Sequence, residues 1–243
     1  LFDHGSLQKT DFIKNIFCSY VYNLSDKQVE QFELFYKFLV EENEKYNLTA
    51  ITEQKEVVVK HFVDSVLPEK DIKQGATVID VGTGAGFPGV PLKILRPDIK
   101  LTLLDSLQKR INFLNQLLLK LGIDDVITTH SRAEDYVKNK REYFDVALSR
   151  AVAQIPTLAE YLLPYVKVGG KVLMYKGNKL EEELKLGQKA ILTLGGKIEK
   201  TEHFKLKEVD SERFILVIDK IKATDKKYPR AKNLPKTKPI LNS

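Results

Sequence analysis

A single cysteine, Cys18, stands among 243 residues. One thiol excludes an internal disulfide framework and any metal site that needs several thiolates, and it fits a reducing compartment. The four histidines are scattered without zinc-like spacing, so no metal is expected. No apolar run approaches the length that spans a bilayer, and the first thirty residues carry no signal-peptide core. The expectation is a cytoplasmic chain with no membrane partner. Residues 1–8 begin without Met and carry no weight.

Excess charge is also missing from most of the chain. The net charge is +6, but from Lys222 onward seven basic residues face Asp225 alone, so the remainder balances. Basicity is thus expected as a local tail, residues 222–243. A concentrated basic segment points to phosphate-bearing partners, foremost nucleic acid; the other reading is a solvated, solubilising tail. At 43% hydrophobic the chain can bury one sizeable core with a small appendage, expected as a monomer.

The first seventy residues read as a helical extension. Residues 10–22 look helical, Ser25-Asp26-Lys27-Gln28 is a capping-box pattern, and Val29, Phe32, Phe35, Tyr36 and Leu39 recur at helical spacing to about Lys45. These aromatics read as core, not as a ligand platform. A further helix is expected over 53–66, ending near Pro68.

From Gly75 the pattern becomes alternating strand and helix. Strands are expected at 77–81, 100–105, 126–130, 144–149 and 171–175, with helices at 90–95, 107–121, 133–137, 155–166 and 179–194. That alternation specifies a parallel α/β sheet covered on both faces. Segments 197–206 and 213–221 have no helix between them and read as a hairpin that closes the sheet with an antiparallel strand. The expected units are a helical extension (1–70), a doubly wound Rossmann-like domain (71–221) and the basic tail (222–243).

Within that domain, Thr77-Val78-Ile79-Asp80-Val81 runs into four glycines in eight residues, Gly82, Gly84, Gly86 and Gly89. Such a strand-to-helix turn lets backbone approach a ligand closely. The dinucleotide fingerprint G-x-G-x-x-G would place glycine at 87, where this chain has Phe87. Asp80 followed by G-x-G-x-G instead resembles motif I of the class I S-adenosylmethionine methyltransferases.

Ligands of doubly wound sheets bind beyond the carboxyl ends of the strands. Asp105 ends the second strand about twenty residues past the glycines, where an acid can accept both ribose hydroxyls of a nucleoside. Ala133-Glu134 follows the third strand and can face an adenine edge, although Glu134 taken singly reads as a helix-start charge. Arg150 ends the fourth strand and needs an anion: a cofactor carboxylate, a phosphate or a structural Asp. Its place at the ligand end of the sheet favours a functional partner. Lys176, ending the fifth strand, reads equally as a phosphate contact or a surface charge. His61 and Asp64 share a helical face, and a satisfied, partly buried His is the favoured reading.

What this site lacks narrows the chemistry. Cys18 lies far from every strand end in sequence, so the thiol nucleophile of pyrimidine-C5 methylation is missing. No N-P-P-[YF] closes the fourth strand, and Ser149-Arg150 closes it where 2′-O enzymes have Asp. Guanine N7 suits such a site, because it has a lone pair and no proton to lose.

The motifs together resemble the bacterial small-subunit rRNA methyltransferase G family, also called glucose-inhibited division protein B. The resemblance is carried by Asn47-Leu48-Thr49, His61-Phe62-x-Asp64-Ser65, the run Asp80 to Leu92, Leu104-Asp105-Ser106-x-x-Lys109-Arg110, Ser131-Arg132-Ala133-Glu134, Ser149-Arg150-Ala151, Tyr175-Lys176-Gly177 and Tyr228-Pro229-Arg230. It implies N7-methylation of one guanine in the 530 loop of 16S rRNA, free or within the small ribosomal subunit, with S-adenosylmethionine (SAM) as donor. It also implies cofactor contacts from Gly82, Phe87, Ala133-Glu134 and Arg150. Asn233 stands where the family's tail has Gly, and Asn tolerates the left-handed backbone. The competing classes are a SAM enzyme acting on another RNA such as tRNA, a non-catalytic RNA-binding assembly factor, and a nicotinamide oxidoreductase, against which Phe87 argues.

Overall fold

The structure, a computed structural model, describes residues 4–150 and 153–241. Ala151 of the Ser149-Arg150-Ala151 run and the last two residues of the tail lie outside the described residues. A seven-stranded sheet has the order β3-β2-β1-β4-β5-β7-β6. Its parallel part comprises β1 (Thr77–Val81), β2 (Lys100–Asp105), β3 (Ile127–His130), β4 (Phe144–Arg150) and β5 (Val166–Lys176). The expected hairpin is present: β6 (Gly196–Leu206) pairs with β7 (Ser211–Lys220), and β7 runs antiparallel beside β5. This is the expected α/β architecture. In β1, Val78 to Val81 are all buried, as a central parallel strand requires.

Helices cover both faces. On one side α5 (Gly89–Leu95) and α6 (Gln108–Lys120) join the N-terminal helices α1 (His4–Ser19) and α2 (Asp26–Tyr46) in one apolar cluster with the sheet. Phe35 stacks on Phe87 with ring centroids 5.1 Å apart, and Phe38 stacks on Phe113 at 5.3 Å. The helical extension is therefore continuous with the core, and its aromatics pack as the spacing implied. Each such ring contributes about 1.5–3 kcal/mol of apolar burial. On the other side α7 (Ala133–Lys140), α8 (Ile155–Leu162) and α9 (Leu180–Thr193) form a second cluster.

Local chemistry sets the boundaries. Ser25 and Gln28 make the expected capping box, the Ser25 hydroxyl accepting from the Gln28 N–H at 3.3 Å and the Gln28 amide oxygen from the Ser25 N–H at 2.9 Å. α8 is shorter than expected. Pro164 lacks the N–H that a further α-turn needs, so the chain tightens into a 3-10 turn over Leu163–Tyr165 and enters β5 at Val166. The helix expected over 53–66 is interrupted: α3 (Gln54–Val57) opens into a π-helical turn, Val58–Val63, before α4 (Asp64–Val66). Such turns take one extra residue and recur at functional sites.

The tail is not a free solvated arm. The Arg230 guanidinium grips the buried Glu160 carboxylate of α8 at 2.7 and 2.9 Å, and the Thr157 hydroxyl donates to the Pro235 carbonyl at 2.9 Å. Asn233 does adopt the left-handed backbone, with φ +61°, where the chain turns into α10 (Leu234–Thr237). The physical reason is charge pairing: an α8 acid with no exposed surface demands a cation, and the tail supplies it. Among the described residues no helix is long and apolar enough to cross a membrane.

Candidate active site

Three cavities adjoin at the carboxyl ends of the strands. The first, about 370 Å³, lies between the ends of β1, β2 and β3 and is lined by Gly82, Leu104, Asp105, Ser106 and Ser131 to Glu134. The second, about 390 Å³, lies over the glycine loop and is lined by Thr49, His61, Gly82 to Ala85, Phe87, Arg110 and Arg150. Gly82, Asp105 and Ser106 belong to both, so the two are ends of one trough. The third, about 630 Å³, opens beyond His61 and Arg150 toward Lys60, Tyr175, Lys176 and Arg213.

The loop between β1 and α5 is held from below. The Asp80 carboxylate has no exposed surface and accepts the Gly89 N–H at 2.8 Å. Burial pushes its carboxyl up to about 7, opposed by the Thr83 hydroxyl and that N–H. Gly86 is a packing glycine, since an added Cβ would lie 2.7 Å from Val90 Cγ2. Asp80 and Gly86, expected to bind cofactor, therefore do not line the trough; they position the residues that do. Gly84 differs: its φ is +61° and an added Cβ would meet nothing within 4 Å, so a side chain there would project into the open trough.

Asp105 ties this loop to the next strand. One oxygen accepts from the Gly84 N–H at 2.9 Å and from Arg110 at 3.2 Å, and the other accepts from the Leu107 N–H at 2.9 Å. A carboxylate offers about four acceptor sites. Three are used, so Asp105 retains room for one further donor where two ribose hydroxyls were expected. Glu134 lines the same end of the trough, 8% exposed, with Arg132 at 3.5 Å.

The other end is dominated by cations. Arg150 meets Asp64 of the N-terminal helices 2.7 Å away, the structural Asp among its expected anions. Arg213 reaches the same Asp64 at 3.3 Å. The Arg150 guanidinium also lies 5.1 Å from the Phe87 ring centroid. Lys176, expected equally as a phosphate contact or a surface charge, is buried and paired with Glu183 at 2.6 Å and the Ala153 carbonyl at 2.8 Å. His61, carried on the π-turn, stacks on Phe87 at 4.6 Å and meets the Thr49 hydroxyl at 2.9 Å and an Arg150 nitrogen at 3.2 Å. Burial first, and then Arg150, lower its imidazole to about 3. His61 is thus a satisfied, partly buried neutral histidine that also walls two cavities.

Sequence reasoning missed Arg213, Tyr175, Asn233 and Lys236 as cavity residues. Only folding brings them there: Arg213 rides in on the antiparallel strand, and Asn233 and Lys236 on the folded-back tail. The chemistry available is consistent across the third cavity. Asp64 and Glu183 are each held in ion pairs, the Tyr175 hydroxyl is raised well above its usual range by burial, and His61 is too weak a base to take a proton at neutral pH.

The residues fit a nucleoside joined to an amino acid: acids at one end of a bent trough, an open glycine turn at the middle and arginines at the other end. The sequence profile of the family described as "GidB: rRNA small subunit methyltransferase G" matches residues 28–214. The protein called Ribosomal RNA small subunit methyltransferase G in Lactobacillus acidophilus is 52% identical over 225 residues, covering 90% of this chain and 94% of its own length. Its namesake in Lachnoclostridium phytofermentans is 48% identical over 223 residues, covering 90% and 92%. Among solved structures, M. jannaschii TYW2 in complex with AdoMet superposes with a TM-score of 0.54 at 14% identity, over 71% of this chain and 80% of that one. A likeness at that identity speaks for the fold alone.

Proposed function

The chain belongs to the rRNA small subunit methyltransferase G family, and from that premise we propose that it transfers the methyl group of SAM to N7 of a guanine in the 530 loop of 16S rRNA. The observation that carries this reading is the third cavity, which opens from the trough and offers no unengaged base among its described residues: Asp64 and Glu183 are held in ion pairs, and burial keeps His61 neutral and weakly basic. A nucleophile that must be deprotonated would have to break one of those pairs. The N7 lone pair needs only positioning.

Asp105 and Ala133-Glu134 would hold the nucleoside of the cofactor, Gly82 and Gly84 would let its middle lie close to the backbone, and Phe87 and Arg150 would border the end that takes its amino acid. SAM, when bound, supplies a methyl group on a positively charged sulfur. Arg150, Arg213 and Tyr175 then shape the entrance for an unstacked base, because N7 lies in the deep, narrow major groove of A-form RNA and is reachable only in a loop. Neutral His61 holds Phe87 flat and excludes water. Because the N7 lone pair would accept that methyl group without losing a proton, this chain's residues are asked only to bind and orient the base and to exclude water. We assign the acceptor to 16S rRNA or the small-subunit particle, and the active form to a cytoplasmic monomer.

The test is incubation with methyl-labelled SAM and 30S particles, free 16S rRNA or tRNA from cells lacking the enzyme, followed by borohydride–aniline cleavage at N7-methylguanine. One new cleavage in the 530 loop is expected. Label confined to tRNA, or SAM binding without label in any RNA, would sink the assignment.

A further inference from the structure

The basic tail was read from sequence as a phosphate-binding arm, yet two of its residues, Asn233 and Lys236, line the nucleoside end of the trough together with Asp105 and Glu134. We infer that the folded-back segment from Arg230 to Lys238 is a wall of the cofactor cleft, closing over the nucleoside with Asn233 and Lys236. This deepens the proposed function and rests on it.

The segment is built to stay there. Arg230 is fixed on Glu160 through two guanidinium nitrogens, and its backbone N–H donates to the same carboxylate at 2.7 Å. Arg230 also donates to the Lys238 carbonyl at 2.8 Å, bracing both ends of the strap against each other. Between these anchors the Thr157 hydroxyl holds the Pro235 carbonyl, and Thr157 itself lines the cavity. The left-handed turn at Asn233 puts that short polar side chain at the rim, where its amide offers both a donor and an acceptor to a purine edge or a ribose hydroxyl. A nucleoside end made only by the sheet would be open to water above Asp105. The strap removes that water and adds hydrogen-bonding groups on a segment whose outward side carries Lys232 and Lys238.

The chain contains no tryptophan. Lys236→Trp in the full chain therefore installs a single indole on the strap, and Lys226→Trp, on an exposed stretch before the anchors, serves as the control. Titration with SAM should change the emission of the first and not the second, saturating at the affinity that calorimetry gives for the parent chain. In parallel, Asn233→Ala/Lys236→Ala should weaken both SAM and adenosine by about threefold to tenfold, the scale of one or two lost hydrogen bonds. Glu160→Gln, at a side chain that does not itself line the cavity, should produce a similar loss by loosening the anchor. An indole at 236 unmoved by saturating SAM, with the double variant within twofold of the parent, overturns the inference. A parent chain that binds no SAM at all overturns the cofactor assignment beneath it, so the two failures are distinct.

Discussion

The two ends of the cleft are built on opposite plans. At the nucleoside end the groups supplied by the sheet are held over short stretches of chain, Asp80 by Gly89 and Asp105 by Leu107, mostly through backbone, and only the tail wall of Asn233 and Lys236 comes from far away. At the acceptor end the charged groups are paired with one another, and the two arginines are paired across the chain: Arg150 and Arg213 share Asp64, while Lys176 takes Glu183 of the following helix. The first end is a preformed cradle for a ligand that is always the same. The second is a set of cations already balanced by protein acids, so an incoming nucleotide meets shape and a rigid surface more than free charge.

That contrast breaks most sharply at Gly84. Gly84→Asp puts a carboxylate into the open turn beside Asp105, and the expected result is loss of SAM affinity by more than about 100-fold by calorimetry, with a retained unfolding transition. Unchanged affinity would mean that the cradle is elsewhere. At the other end, Asp64→Asn leaves two arginines without their shared buried anion; destabilisation of about 3 kcal/mol in urea is expected, with SAM affinity falling far less than for Gly84→Asp. Equal losses of SAM affinity in the two variants would erase the division between the ends.

A pH experiment sharpens it further. His61 titrates near 6.5 when unfolded and near 3 when folded, so the unfolded chain binds the extra proton first as pH falls. Stability from this group is present above about pH 6.5 and is lost toward pH 3, amounting to about 2 kcal/mol between pH 7 and pH 5. Asp80 works the other way, since its raised carboxyl keeps a proton that the unfolded chain releases, and its contribution fades as pH rises from about 4 through 7. The two contributions oppose each other over this range, so His61→Gln should remove the loss and make the variant gain stability relative to the parent as pH falls from 7 to 5. A wild-type slope retained in the variant would show that His61 is not buried neutral.

The smallest effect belongs outside the cleft. Replacing Lys226, Lys232 and Lys238 by Ala should reduce the slope of log affinity for RNA against log salt by about 2, while SAM affinity stays unchanged. An unaltered slope would reduce these lysines to solubility.

The same division explains what was legible in the sequence. The strand-helix alternation, the terminal hairpin and the glycine turn are short-range patterns, and they located the sheet, the trough and the acids Asp105 and Glu134. Short-range patterns do not report partners. The sequence leaves the partners of Arg150 and Lys176 open between ligand and protein groups, because Asp64 and Glu183 become their neighbours only after folding. Asp64 had been placed beside His61 on a helical face, but the π-turn that aims both could not be read from apolar periodicity. The tail gave its charge and its tolerance for a left-handed turn at Asn233; its docking depends on Glu160, a buried acid seventy residues away.

The stack of Phe35 on Phe87 has a consequence for how the molecule fails. Phe87 belongs to the cleft and Phe35 to a helix that precedes the sheet in the chain, so the floor of the site is finished by packing between two separate segments. Warming or proteolysis that loosens the N-terminal helices first would strip His61, Asp64 and the backing of Phe87 from a sheet that still holds together. Activity should then disappear at a lower temperature than the sheet's own amide protection, with the cleft behaving as the thermal fuse of the fold.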